Sequence, residues 1–146
     1  MNCDYTQIPL KISALLLTAL LLVGSIPCSV AQNQMRVVEI LADKDSRYKI
    51  GRQVSPTLTF KAGEEVQFRI TAKKAKTFNR NGSIHGFALI RDKDGARVPD
   101  WDIELKPGTQ EFVLKVPVEP GEYLIVCTVI CSEGHEDMKM KVIVIA

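Results

Sequence analysis

What most limits the fold of this chain is the lack of any long stretch with a 3.6-residue apolar period. A surface helix needs such a stripe to bury one face, so almost no helix is expected. In its place stand short runs rich in β-branched and aromatic residues, each ended by turn residues. They are 35–41 (MRVVEIL), 57–60 (TLTF), 65–71 (EVQFRIT), 83–91 (SIHGFALIR), 110–116 (QEFVLKV), 122–127 (EYLIVC) and 138–145 (MKMKVIVI). Turn residues at 61–64 (KAGE), Pro107-Gly108 and Pro120-Gly121 punctuate them. In 65–71, Val66, Phe68 and Ile70 alternate with Gln67 and Arg69, the period of a strand with one buried face. The pattern predicts an all-β protein, an antiparallel sandwich with Greek-key connections.

A chain of 146 residues is one ordinary domain. Its 46% hydrophobic and 25% charged residues are those of a globular protein. The net charge of +2 gives no electrostatic reason to expect nucleic acid as a partner. The local cluster Lys73, Lys74, Lys76 and Arg80 reads as a solvated loop, with docking to an acidic partner as the alternative.

The N-terminus is a different material. Residues 12–26 (ISALLLTALLLVGSI) carry no charge and follow Lys11. Fifteen residues fall short of the about 20 that a spanning helix needs and suit the core of a signal peptide. Gly24 and Pro27 then break the run, and Ser29-Val30-Ala31 offers a small-x-small cleavage site before Gln32. The expected organisation is 1–31 as a signal peptide, or else an uncleaved anchor, and 32–146 as the domain. The protein is expected to be exported, periplasmic or on the outer face of the cytoplasmic membrane, and membrane-bound only if 1–31 is retained. Of four cysteines, Cys3 and Cys28 fall in the export segment, leaving Cys127 and Cys131. A disulfide between these two is one reading, since small exported domains use such staples.

The other reading is a metal site. Between Cys127 and Met138 lie Cys127, Cys131, His135 and Met138, four soft or borderline ligands in twelve positions. Thiolate, thioether and imidazole together favour copper. Zinc accepts two Cys and a His, but a thioether adds nothing to a zinc site. Fully extended, residues four apart stand about 13 Å from each other, so the chain must turn between the cysteines. Gly134 and the polar stretch 132–137 supply that loop. His85, within the apolar run Ile84-His85-Gly86-Phe87, is the natural further ligand; a satisfied core histidine is the alternative. Gly86 would let backbone approach the site closely.

The spacing C-x3-C-x3-H-x2-M with an upstream I-H-G-F resembles the copper-A domain family of cytochrome c oxidase subunit II, and also the electron-entry domain of nitrous-oxide reductase. The stretch 59–66 (TFKAGEEV) is similar to the family's strand-turn-strand, and Pro120-Gly121-Glu122-Tyr123 to its approach to the first cysteine. The resemblance covers roughly 35–146 and implies a cupredoxin-like fold with two copper ions. It implies that Cys127 and Cys131 bridge both ions while His85 and His135 bind one each. Met138 is then a weak axial ligand to one ion, and the Val129 carbonyl serves the other. Val129 and Ile130 would keep water away.

The resemblance implies an electron-transfer protein whose partner is a redox protein such as a c-type cytochrome or an oxidase. A copper chaperone or store could use the same ligands, and a mononuclear blue-copper site (His85, Cys131, His135, Met138) would leave Cys127 without a role. The sequence carries no nucleophile elbow, no carboxylate pair with a base at hand and no glycine-rich phosphate loop. It is not read as an enzyme by itself, although it could be the electron-entry subunit of a terminal oxidase. Trp101, between Asp100 and Asp102, and Tyr48 are read as core or rim aromatics, or as electron paths beside the metal.

Overall fold

The computed structural model of the protein describes residues 35–74 and 79–146. The segment read as a signal or anchor, and Lys76 of the basic cluster, lie outside these residues. In chain order the strands are β1 (Arg36–Ala42), β2 (Tyr48–Ile50), β3 (Gln53–Val54), β4 (Leu58–Lys61), β5 (Glu65–Ala72) and β6 (His85–Arg91). They continue with β7 (Arg97–Leu105), β8 (Gly108–Lys115), β9 (Gly121–Val126) and β10 (Lys139–Ile145). Among the described residues the only helical turn is a 3₁₀ segment, His135–Asp137. No helix there is long and apolar enough to cross a membrane.

The strands form two five-stranded sheets, β3-β2-β1-β5-β8 and β4-β10-β9-β6-β7. All seven expected strands are present, with boundaries shifted by a residue or two. The antiparallel expectation needs correcting, because β1 runs parallel to β5 and β4 parallel to β10. Alternation reports which face of a strand is buried, not which way its neighbour runs. The chain from Ala42 to Glu65 is long enough for the crossover that a parallel pair requires.

Three strands went unforeseen. β2 and β3 are too short to show a period. β7 hides behind Pro99 and Asp100, the latter at φ 65°. Two pairings, Ala88 with Asp102 and Ile90 with Arg97, enclose three more residues on β7 than on β6. This bulge breaks the alternation that Trp101, Ile103 and Leu105 otherwise keep.

The core lies between the sheets. In β5, Val66, Phe68 and Ile70 point inward as predicted. Phe68 is the hub of an aromatic cluster, with ring centroids 5.9 Å from Phe60, 5.6 Å from Phe87 and 5.3 Å from Trp101. Such edge and tilted contacts contribute about 0.5–1.5 kcal/mol each beyond area burial. Trp101 is thus a core residue, its indole N–H donating to the Lys115 carbonyl at 2.8 Å. β6 does not alternate: His85 to Leu89 are all buried. Gly86 and Ala88 keep its other face slim enough to be covered.

Candidate metal centre

The site forms where β6 begins and β9 ends. These strands are antiparallel, with Ala88 opposite Val126, so His85 and Gly86 project beyond the last paired residues toward the loop after β9. That loop leaves β9 at Cys127 and returns at Met138, whose carbonyl accepts the Cys127 N–H at 3.1 Å and closes its neck. The 3₁₀ turn at His135–Asp137 folds the middle back.

Gly86 makes the close approach possible. A Cβ there would stand 2.2 Å from Thr128 Oγ1 and 2.4 Å from the Thr128 backbone nitrogen. No side chain fits without moving backbone. With glycine in place, the Gly86 N–H donates to the Cys127 sulfur at 3.2 Å.

His85, Cys127 and Cys131 are buried, and one ligand atom from each lies within 4.8 Å of the others. His85 Nε2 lies 3.0 Å from the Lys73 carbonyl. A carbonyl only accepts, so the proton belongs on Nε2, and Nδ1 is left with a lone pair. Nδ1 is buried with no hydrogen-bond partner, the sole such side-chain atom among the described residues. This is the arrangement of a histidine ligand oriented through its other nitrogen. A satisfied core histidine would have both nitrogens bonded.

The two sulfurs are 3.8 Å apart, and both cysteines are free thiols. A disulfide would need about 2.05 Å, so the staple reading does not describe this structure. Cys127 is pushed up in pKa by its hydrogen bond with Cys131 and then by burial. Cys131 is pushed down by that same bond, against burial, with the neighbouring His85 and Ser46 side chains helping. The pair titrates as a unit in which the first proton to leave comes from Cys131.

The remaining predicted residues are placed less uniformly. The Val129 carbonyl turns inward and accepts from the Cys127 thiol at 3.1 Å. Val129 is buried, whereas Ile130 is 67% exposed and does not shield the site as expected. Met138 is fully buried in the core cluster. His135 is only half-buried, its Nδ1–H donates to the Ser132 carbonyl at 3.1 Å, and it stands outside the converging trio.

Three supports surround these residues; sequence reasoning missed two of them and named the third, Tyr48, only as a core or rim aromatic or an electron path. Tyr48 is buried on β2, and its hydroxyl donates to the Gly86 carbonyl. The Lys73 carbonyl holds His85. Ser46, from the turn between β1 and β2, lies 3.5 Å from the Cys131 sulfur. All three come from the first sheet or the segments adjoining its strands, whereas the residues they hold belong to the second sheet or its β9–β10 loop. Nothing in the sequence singles out Ser46 or a backbone carbonyl.

No protein-family profile matches the chain. It is 30% identical over 91 residues to cytochrome c oxidase subunit 2 of Thermus thermophilus, a match covering 62% of this chain and 56% of that one. The match thus spans little more than half of that relative's length. Its fold is similar to a chain of a heme-copper terminal oxidase dimer, at TM-score 0.54 and 20% identity, covering 79% of this chain and 68% of that one. Rusticyanin from Thiobacillus ferrooxidans matches at TM-score 0.51 and 18% identity, over 75% and 76% of the two chains. Auracyanin B matches at 0.50 and 21%, over 76% and 89%. With the two-sheet architecture, these similarities give the described residues a cupredoxin-like fold, similar in sequence over 91 residues to cytochrome c oxidase subunit 2.

Proposed function

We propose that this chain is an exported electron-transfer protein holding a dinuclear copper centre of the copper-A type. One observation carries the reading: His85, whose buried Nδ1 has no partner, offers a ring nitrogen within 4.8 Å of two free thiols. Leaving such an atom unsatisfied costs about 1–3 kcal/mol, which a bound metal ion would offset. The donor chemistry fits copper, since soft sulfur with imidazole is what that metal selects. The buried Met138 thioether adds weight over zinc.

Cys127, Cys131, His85 and His135 are the residues that would hold the two ions. Met138 and the Val129 carbonyl would complete the set. His135 would exchange its bond to the Ser132 carbonyl for this role. Copper, when bound, supplies a one-electron couple. The chain's own part is to hold the donors still and keep water out. His85 is fixed from behind by Lys73, Cys127 by the Gly86 N–H, and both histidine and sulfurs are buried. The partner is a redox protein, a c-type cytochrome or a terminal oxidase. The relation to an oxidase subunit supports this, as the uncharged segment 12–26 supports export.

The test is the EPR and optical spectrum of the protein loaded with copper after thiol reduction. One electron shared by two equivalent copper nuclei gives a seven-line pattern and a purple protein. A four-line signal with intense blue colour would favour a mononuclear site, and failure to bind copper would remove the proposal. A second reading, a cuprous-ion chaperone or store, is favoured by His135 standing outside the trio. It predicts a colourless protein with a single bound ion.

A further inference from the structure

Ser46 sits in a stretch, 43–47 (DKDSR), whose sequence is charge and turn. Its residue is nevertheless only 1% exposed, and its backbone φ is 57°. Few residues other than glycine adopt that region. What the conformation achieves is visible in its bonds: Ser46 Oγ lies 2.6 Å from Ser132 Oγ and 3.5 Å from the Cys131 sulfur.

The direction of these bonds follows from counting protons. The Gly134 N–H donates to Ser132 Oγ at 3.1 Å. If the Ser132 hydroxyl donates to Ser46 Oγ, the Ser46 hydroxyl is free to donate to sulfur. A thiolate at Cys131 can only accept, which selects the same order. Both hydroxyls then give one hydrogen bond and receive one, and such chains polarise along their length.

We propose that Ser46 is a positioning residue for the Cys131 sulfur, the last link of a relay from the Gly134 N–H through Ser132 and Ser46. The proposal rests on the copper reading above and adds a determinant of the centre's potential. The two sulfurs are served differently. Cys127 receives a backbone donor from Gly86, whereas Cys131 receives a side-chain donor that a substitution can remove. A donor on a ligating sulfur lessens the electron density it gives the oxidised metal and so raises the reduction potential.

The experiment compares copper-loaded wild type, Ser46→Ala, Ser46→Gly and Ser132→Ala by sulfur-to-copper absorption and reduction potential, with melts of the metal-free proteins alongside. Loss of the Ser46 hydroxyl is expected to move the absorption to longer wavelength and the potential to more negative values. Ser132→Ala is expected to give a smaller shift in the same direction. Glycine suits a φ of 57°, so Ser46→Gly reads the hydroxyl where alanine would be strained. Should neither Ser46 variant load, Ser132→Ala decides. Unchanged absorption and potential overturn the proposal, as does a shift of opposite sign, and a changed melt without a spectral shift reduces Ser46 to a structural role. Wild type that takes up no copper refutes the copper reading itself, before any substitution is made.

Discussion

The two ends of the β6–β9 pair are built on opposite principles. At one end Arg91 faces Tyr123, and the polar side chains around them find ordinary partners in Asp94 and Glu119. Arg91 bonds Asp94 and Glu119, Lys93 bonds Glu119, and the Tyr123 hydroxyl donates to the Glu119 carbonyl. At the other end His85 and Cys127 are buried, an imidazole nitrogen has no partner, and two thiols stand close without bonding covalently. The same two strands thus close their bonding at one end and leave it open at the other. Residual bonding capacity inside a core is costly, so its concentration at one spot is a mark of function and not of folding.

The sharpest way to break this contrast is Gly86→Ala. A Cβ there meets the Thr128 backbone at 2.4 Å, so either β6 or the start of the ligand loop must shift. A loss of about 3 kcal/mol in urea unfolding is expected, together with loss of copper uptake. Near-wild-type stability would mean the site end is soft enough to yield, against the rigid cradle described above.

His85→Leu sharpens the contrast from the other side. It removes a buried unsatisfied nitrogen and leaves the Lys73 carbonyl, on an exposed residue, to water. The metal-free variant is expected to gain about 1 kcal/mol while losing metal. A clear loss of stability in the metal-free protein would show that His85 serves the fold. The smallest effect belongs to the closed end. Arg91→Ala breaks ion pairs that solvent already screens, so its melt and its copper spectrum should overlay those of wild type. A changed spectrum would show the two ends to be coupled.

The fold was legible wherever one face of a strand was buried and the other wet, as in β5. It faded where that condition failed. The β7 bulge shifts the phase of Trp101 relative to Val98, and strands as short as β3 hold too few residues to show a period. Parallel pairing left no trace, because register is decided between segments distant in sequence. The site was legible through side-chain chemistry: His85, Cys127 and Cys131 carry unusual donors at telling intervals. Its supports were not. A backbone carbonyl at Lys73 has no sequence signature, and Ser46 acquires meaning only from a turn that swings it across to the opposite sheet. Ile130 shows the same limit, since an apolar letter beside a ligand does not say which way its side chain faces.

Tyr48, Lys73 and Ser46 each reach from the first sheet to the second, and each ends on or beside a donor residue. This makes the site a clasp at one mouth of the sandwich. Splaying the sheets there would strip these supports from the imidazole and the sulfur, and filling the site would hold the mouth shut. Amide exchange should therefore slow on metal loading first at β2 and the start of β6, elements that share no strand pairing.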